Sequence, residues 1–331
     1  MRCYPSARQR GVLGRLFGAS LFVWNWALWR RTEVYRAEKR KLNWIALSRE
    51  FTALRCAPAT AWLAELPREP FSQVLRDQER AFTSFFAGRS GYPRFRRRGG
   101  AVSVRFTLDQ RRAQVLRGSG QDRWAYVQLA GLGRVKLRRT EVLEGRLRSV
   151  TLSRDAAGRY FAAITADGVA LRQAPTATVA AVGVDVGMRV LAVVHDGERA
   201  RSEPAPKALA GKLARLRRYQ RGQGLDPSQP CPKGMRLGLS KRRLGTQRRI
   251  AREQARIADV RRDRLHRVST RIVREAQVIA IEALRVKAMA RSMGRRAFRR
   301  GVADAALGEL RRQIRYKGAW AGREVVLLDP F

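Results

Sequence analysis

The chain has 331 residues, enough for two or three domains that each bury a core. Lys and Arg number 70 against 27 Asp and Glu, a formal charge of +43 that self-repels unless a polyanion neutralises it, so nucleic acid is the first partner to consider. A hydrophobic content of 45% excludes a disordered basic tail, and three scattered cysteines (Cys3, Cys56, Cys231) with no CxxC exclude a zinc site or disulfide framework.

Buried thiols are the expectation for those cysteines. Only nine of the cations are Lys; codon bias explains a choice of Arg over Lys, but not the shortage of acids. The first residues, MRCYPSARQR, lack the apolar core of a secretion signal, so a cytoplasmic, nucleoid-associated protein is expected.

Residues 7–90 read mostly as helix. Leu13, Leu16, Phe17, Ser20 and Trp24 follow a 3–4 rhythm, as do Phe71, Val74, Leu75, Gln78, Phe82 and Phe85. Pro58, Pro67 and Pro70 interrupt the region between helices. The apolar run Gly18–Trp29 is too short to span a bilayer and reads as a buried helix. A basic loop follows, in which Tyr92, Arg94, Phe95, Arg96, Arg97 and Arg98 suit phosphates plus stacking on a base. A solvated linker explains that loop equally well.

From residue 101 to 166 the pattern changes to short strands separated by Gly and Asp (AVSVRFTL, RWAYVQL, GRVKLR, LRSVTLSR, GRYFAAITA), which predicts a small antiparallel β-barrel or sandwich. Beyond Pro175, VAAVGVD and VLAVVH read as a strand hairpin, residues 205–221 and 238–276 as helices, and Val278–Ile281 as a buried strand. An amphipathic helix over Ala303–Trp320 and a strand over Glu324–Leu328 complete an α/β domain. The long helix carries 14 Arg or Lys between Arg236 and Arg274, while Ile250, Ile257, Leu265, Val268 and Ile272 keep one face apolar. Its cations Lys241, Arg242, Arg243, Arg248, Arg249, Arg252 and Arg256 are the expected backbone-tracking surface.

Two acids close apolar strands: Asp185 ends VAAVGVD and Glu282 ends VIAIE. Carboxylates are rarely placed there unless paired, hydrogen-bonded or holding a cation. With histidine limited to His195 and His266, any metal would be a hard ion such as Mg²⁺ on carboxylates. The alternative is a pair of strand-end acids capped by backbone N–H or Arg, and spacing alone tilts toward it. His195, before Asp196-Gly197, reads as a turn residue, and His266 as packed or phosphate-contacting.

Several stretches in fixed order carry a resemblance over essentially the whole chain. They are Tyr4-Pro5, Trp24-Asn25-Trp26-Ala27-Leu28, Tyr92-Pro93-Arg94-Phe95, Gly183-Val-Asp-Val-Gly187 and Arg264-Leu-His-Arg-Val-Ser269. Ile281 through Met289 and Asp304 through Trp320 to Asp329-Pro-Phe331 complete the set. The chain resembles TnpB, the transposon-encoded RNA-guided DNA endonuclease family related to type V CRISPR effectors. The resemblance implies a multi-domain α+β protein: a helical recognition lobe over 1–91 whose first residues pair with the barrel, a β-barrel wedge over 92–178, and a RuvC-like, ribonuclease H-like nuclease domain over 179–331. It implies guide RNA and target DNA as partners, Mg²⁺ as cofactor, and Asp185 and Glu282 as the first two catalytic carboxylates and metal ligands.

In that family a four-cysteine zinc ribbon and a final helix with a third catalytic Asp follow the Asp-Pro-Phe position. The sequence stops at Phe331, so the expectation is guided DNA binding with weak or absent cleavage and no zinc; Asp329 is expected to be structural rather than a substitute. Two other readings remain: an active Mg-dependent endonuclease completed by a missing C-terminal segment, and a nonspecific basic nucleic-acid binder.

Overall fold

The computed structural model describes residues 1–97, 102–108, 115–116, 123–140, 145–169, 176–187, 190–204, 209–221, 241–284 and 307–329. Arg98, Cys231, the 285–289 part of the Ile281–Met289 motif, Asp304 and the Pro-Phe after Asp329 lie outside the described residues. The chain divides into two compact units, Met1–Val169 and Ala170–Phe331.

The first unit begins with a short strand, β1 (Arg2–Tyr4), and then α1 (Ala7–Glu38), α2 (Trp44–Cys56) and α3 (Glu69–Phe86). Ser6 starts α1 by a reciprocal capping box with Gln9. The next turn needs a left-handed residue, and Lys39 supplies it at φ 52°. Pro58 opens a 3₁₀ turn (Pro58–Leu63), and Pro70 sits in the first turn of α3, where a missing N–H costs nothing.

Strands β2 (Val102–Thr107), β3 (Val115–Leu116), β4 (Trp124–Leu129), β5 (Gly133–Arg138), β6 (Arg146–Arg154) and β7 (Tyr160–Asp167) join β1 in one sheet. Its order is β2-β6-β7-β1-β5-β4-β3, every pair antiparallel. β1 is central, not peripheral: Cys3 pairs with Leu137 on one side and Tyr160 on the other. β2 and β3 are the edges among the described residues, so the ladder there is open. Leu13, Leu16, Phe51, Phe71 and Leu75 of the helices share one core with Val127, Leu137, Val150 and Leu152 of the sheet. Cys3 lies in that core, where burial pushes its thiol up to about 12. Cys56, expected to be buried, is exposed at the last position of α2.

The second unit is a five-stranded sheet of order β10-β9-β8-β11-β12. β8 (Val179–Asp185), β9 (Val190–His195) and β10 (Ala200–Pro204) form an antiparallel meander. β11 (Ala276–Glu282) and β12 (Glu324–Leu328) extend it in parallel with β8. α4 (Leu209–Arg221) and α5 (Lys241–Glu275) precede β11, and α6 (Leu307–Trp320) precedes β12. Val182, Val184, Ile279 and Ile281 pack with Leu265, Val268 and Ile272 of α5 and Leu310 and Ile314 of α6.

β10 was not apparent in the sequence. It reads ARSEP, its one buried residue is Glu203, and it ends at a proline, which only an edge strand tolerates. Among the described residues, no helix is long and apolar enough to cross a membrane.

Candidate active site and nucleic-acid interface

β8 and β11 lie side by side in parallel, with Val182 opposite Ile279 and Val184 opposite Ile281. Side chains alternate along a strand, so those four face the helix-covered core and the next pair, Asp185 and Glu282, faces the opposite side. Parallel neighbours are about 4.8 Å apart, which sets both carboxylates at the C-terminal edge of the two central strands. Ligand sites on open α/β sheets form outside that edge. Asp185 is exposed and Glu282 half-buried.

Neither acid has a hydrogen-bond or ion-pair partner among the described residues, although the chain carries 70 cations. The capping by Arg or backbone N–H that would make them structural is thus not seen there. Magnesium binds through one or two carboxylates, with water and substrate phosphates completing its shell, so this donor pair fits such an ion. Among the described residues, no group of three or more His, Cys, Asp or Glu comes together as a metal site. On β12, Leu328 holds the position in register with Glu282, and Asp329 lies one residue beyond the strand, exposed.

The two histidines have other duties. His195 Nδ1 accepts from the Gly197 amide at 3.0 Å and so closes the β9–β10 turn. His266 sits in the α5–α6 junction; burial first, then the Lys317 ammonium, lowers its pKa. Lys317 donates to the His266 carbonyl, Ser269 Oγ and Thr270 Oγ1 at 2.9, 2.7 and 2.8 Å, and burial pulls its ammonium down to about 8. Ser269 Oγ in turn meets Gln313 Oε1 at 3.0 Å.

The motif Arg264–Ser269 is therefore a junction. Arg264 reaches buried Glu203 on β10 at 2.8 Å, Leu265 and Val268 fill the core, and His266 and Ser269 anchor α6. Glu203 also takes Arg271 at 3.0 Å and Arg201 at 3.3 Å. Those arginines bind β10 to α5 rather than waiting for a ligand.

The N-terminal half of α5 is different. Arg248, Arg249 and Arg252 are exposed and have no acidic partner among the described residues. Arg256, also exposed, meets Glu253 Oε2 at 3.0 Å, and Arg215 of α4 meets Glu253 Oε1 at 3.3 Å. Glu253, almost fully buried on the helix face that carries Ile257, went unremarked in the sequence. Lys241, Arg242 and Arg243 occupy the first turn of the helix.

The basic loop is strapped to α1. Trp24 Nε1 donates to the Arg94 carbonyl at 3.0 Å, while Asn25 donates to the Arg96 carbonyl at 3.0 Å and accepts from its amide at 2.8 Å. The Arg96 guanidinium lies 3.6 Å from the Trp24 ring centroid, and burial lowers its pKa. Arg96 is thus held against Trp24 while it stays exposed, as Phe95 and Arg97 do. Tyr92 leans edge-to-face on Phe82 and Phe85, with centroids 5.5 and 5.3 Å away. The loop is not a loose linker, and Trp24 and Asn25 are the residues that shape it.

A mixed helix-and-sheet protein with a strongly cationic surface and a carboxylate pair at a sheet edge belongs to the class that handles polyanions. A transposase family, OrfB of IS605, described as "Probable transposase", matches residues 159–293, and its "Helix-turn-helix domain" matches residues 1–40. Residues 7–38 of that second match are a single continuous helix. A Streptomyces pristinaespiralis protein, provisionally named an RNA-guided DNA endonuclease, is 36% identical over 99% of this chain and 76% of its own length. Escherichia coli InsQ, provisionally named likewise, is 28% identical over 98% of this chain and 78% of its own. A solved structure, the Cas12f1-sgRNA-target DNA complex, shares the fold at a TM-score of 0.52 and 13% identity, over 98% of this chain and 73% of that one. The chain belongs to the TnpB family of RNA-guided DNA endonucleases.

Proposed function

We propose that this chain binds a guide RNA and uses it to recognise DNA, with Asp185 and Glu282 holding Mg²⁺ at a RuvC-like, ribonuclease H-like site. The carrying observation is the pair itself: two carboxylates in adjacent register at the C-terminal edge of parallel strands, left without cationic partners among the described residues. The antiparallel meander followed by two parallel strands supports the ribonuclease H-like reading. RNA and DNA as partners are supported by the named relatives and by the nucleic acids in the Cas12f1 complex. In this reading residues 1–91 form the recognition lobe, 92–178 the wedge, and 179–331 the nuclease-like domain.

The chain's residues divide the work. Arg248, Arg249 and Arg252 track phosphate backbones without reading bases, and sequence comes from pairing to the guide. Asp185 and Glu282 would hold the ion from one sheet edge and set where a scissile phosphate can sit. Bound there, Mg²⁺ supplies Lewis-acid polarisation of the phosphate and activation of water. An ion held by these two carboxylates alone would not clamp both attacking and leaving oxygens as a two-metal site does, so guided binding is the activity that the described residues support best.

The test is to express the chain with its flanking DNA, sequence the RNA that co-purifies, and measure binding to DNA matched to that RNA. One discrete RNA, with a constant scaffold and a variable end, and selective binding of the matched DNA are expected. An unsorted pool of cellular RNA, with binding governed by salt alone, would overturn the guided reading in favour of a nonspecific basic binder.

A further inference from the structure

The C-terminal ends of α1 and α3 and the turn between α1 and α2 enclose a cavity of about 670 Å³ that the reading above leaves unused. That size falls within the roughly 300–1,000 Å³ of small-ligand pockets. Its aromatic wall is preorganised. Tyr92 is fixed edge-to-face on Phe82 and Phe85, and Phe86 contacts Phe82 and Phe85 at 6.2 and 5.3 Å between centroids. Yet Tyr35, Phe86 and Tyr92 remain 51, 63 and 48% exposed, an unusual concentration of open ring surface.

Cations rim the same cavity. Lys41 Nζ lies 4.9 Å from the Phe86 centroid and Lys39 Nζ 5.8 Å from that of Tyr35, and Arg36 is exposed beside them. The one acid on the lining, Glu79, is already engaged by Arg31. An acidic ligand with a flat face meets both demands, whereas an apolar ligand would leave the ammonium groups unmatched. Asn43 spends its side-chain oxygen on the Ala46 amide, so its NH₂ is left to donate. Thr83 spends its hydroxyl proton on the Glu79 carbonyl, so its oxygen is left to accept. A base edge supplies acceptors, and a ribose 2′-hydroxyl is a donor that DNA lacks.

We propose that this cavity holds an unpaired nucleotide of an RNA strand, its base stacked on the Phe86 and Tyr35 rings and its phosphate matched by Arg36, Lys39 and Lys41. This assignment rests on the reading of the chain as a guide-RNA binder and names where an unpaired position of that RNA is seated. Open rings beside cations are the usual platform for single strands, because every base offers a π-face.

The experiment uses the full chain and a 12-nucleotide oligoriboadenylate, alone or annealed to its complement, with the corresponding oligodeoxyadenylate as a third probe. Phe86→Ala and Tyr35→Ala are each expected to weaken binding of the single-stranded RNA about tenfold. Duplex RNA binding and the slope of log K against log salt should stay unchanged, because no phosphate contact is lost. Lys41→Gln should instead lower that slope, and it keeps the question open to test if an aromatic variant misfolds. Equal losses on single-stranded and duplex RNA, no loss on either, or a loss confined to the DNA strand would each overturn the assignment. An unsorted RNA pool on the wild-type chain would defeat the guided reading, while the selective loss on oligoriboadenylate would still be measured separately.

Discussion

Replacing Asp185 by Asn separates a metal site from a structural acid pair through stability alone. Asp185 and Glu282 stand on adjacent strands with no cationic partner among the described residues. Two like charges about 5 Å apart repel by about 0.8 kcal/mol at the dielectric of water, and by more where the sheet edge excludes solvent. At 0.15 M salt, charges beyond about 8 Å contribute little, so the pair term dominates. Asp185→Asn should therefore stabilise the metal-free chain by about 1 kcal/mol, raising the Tm of a unit of this size by roughly 2–4 °C. Adding Mg²⁺ should raise the melting temperature of the wild type and leave that of the variant nearly unmoved. The assay is a pair of thermal melts, with and without millimolar Mg²⁺, read by circular dichroism. A destabilised variant, or an equal Mg²⁺ response in both proteins, would refute the reasoning and return both acids to a structural role.

Three further perturbations test the framework around the site. Asn25→Ala removes two exposed hydrogen bonds to the Arg96 backbone, a loss of about 1 kcal/mol that should speed exchange of the Arg96 amide about fivefold. Glu203→Gln takes the charge from a carboxylate shared by three guanidiniums; because those arginines are partly exposed, the cost should be about 2 kcal/mol, read as earlier exchange of β10 amides. For Lys317 the folded ammonium sits at about 8 against an ordinary 10.5, so between those values the unfolded chain binds more protons. Stability should thus rise with pH through that window, and Lys317→Met should flatten the rise in denaturant midpoints measured from pH 8 to 10.5.

Regular alternation made most of the strands legible. β4, β5, β6 and β7 follow their apolar patterning to within two residues, and the helix now seen as Lys241–Glu275 ends one residue short of expectation, positions 238–240 lying outside the described residues. β10 escaped because the inward residue of ARSEP is a glutamate, and β1, whose three residues cannot show a period, was expected only through the resemblance, which has the first residues pairing with the barrel. The motif residues were visible, but their duties were not. Trp24 and Asn25 act on residues 70 positions or more away, and Ser269 meets Gln313 across 44. Such pairings belong to tertiary structure, which no local spacing encodes.

The same limit governs the acids. Glu203 and Glu253 lie on or beside apolar surfaces just as Asp185 and Glu282 do, and a sequence alone gives no means of sorting them. The structure sorts them by their neighbours: Glu203 and Glu253 are each met by arginines, while the Asp185 and Glu282 side chains have no ion-pair partner among the described residues. Glu198, Glu324 and Asp329 also have no ion-pair partner among the described residues, but they stand in a turn, at the first residue of β12 and past its end, and none shares a register with another acid. In a chain where cations outnumber acids by 70 to 27, chance placement would readily supply a guanidinium. Among the described residues the two adjacent carboxylates have no guanidinium between them, a charge arrangement that the proposed Mg²⁺ would neutralise.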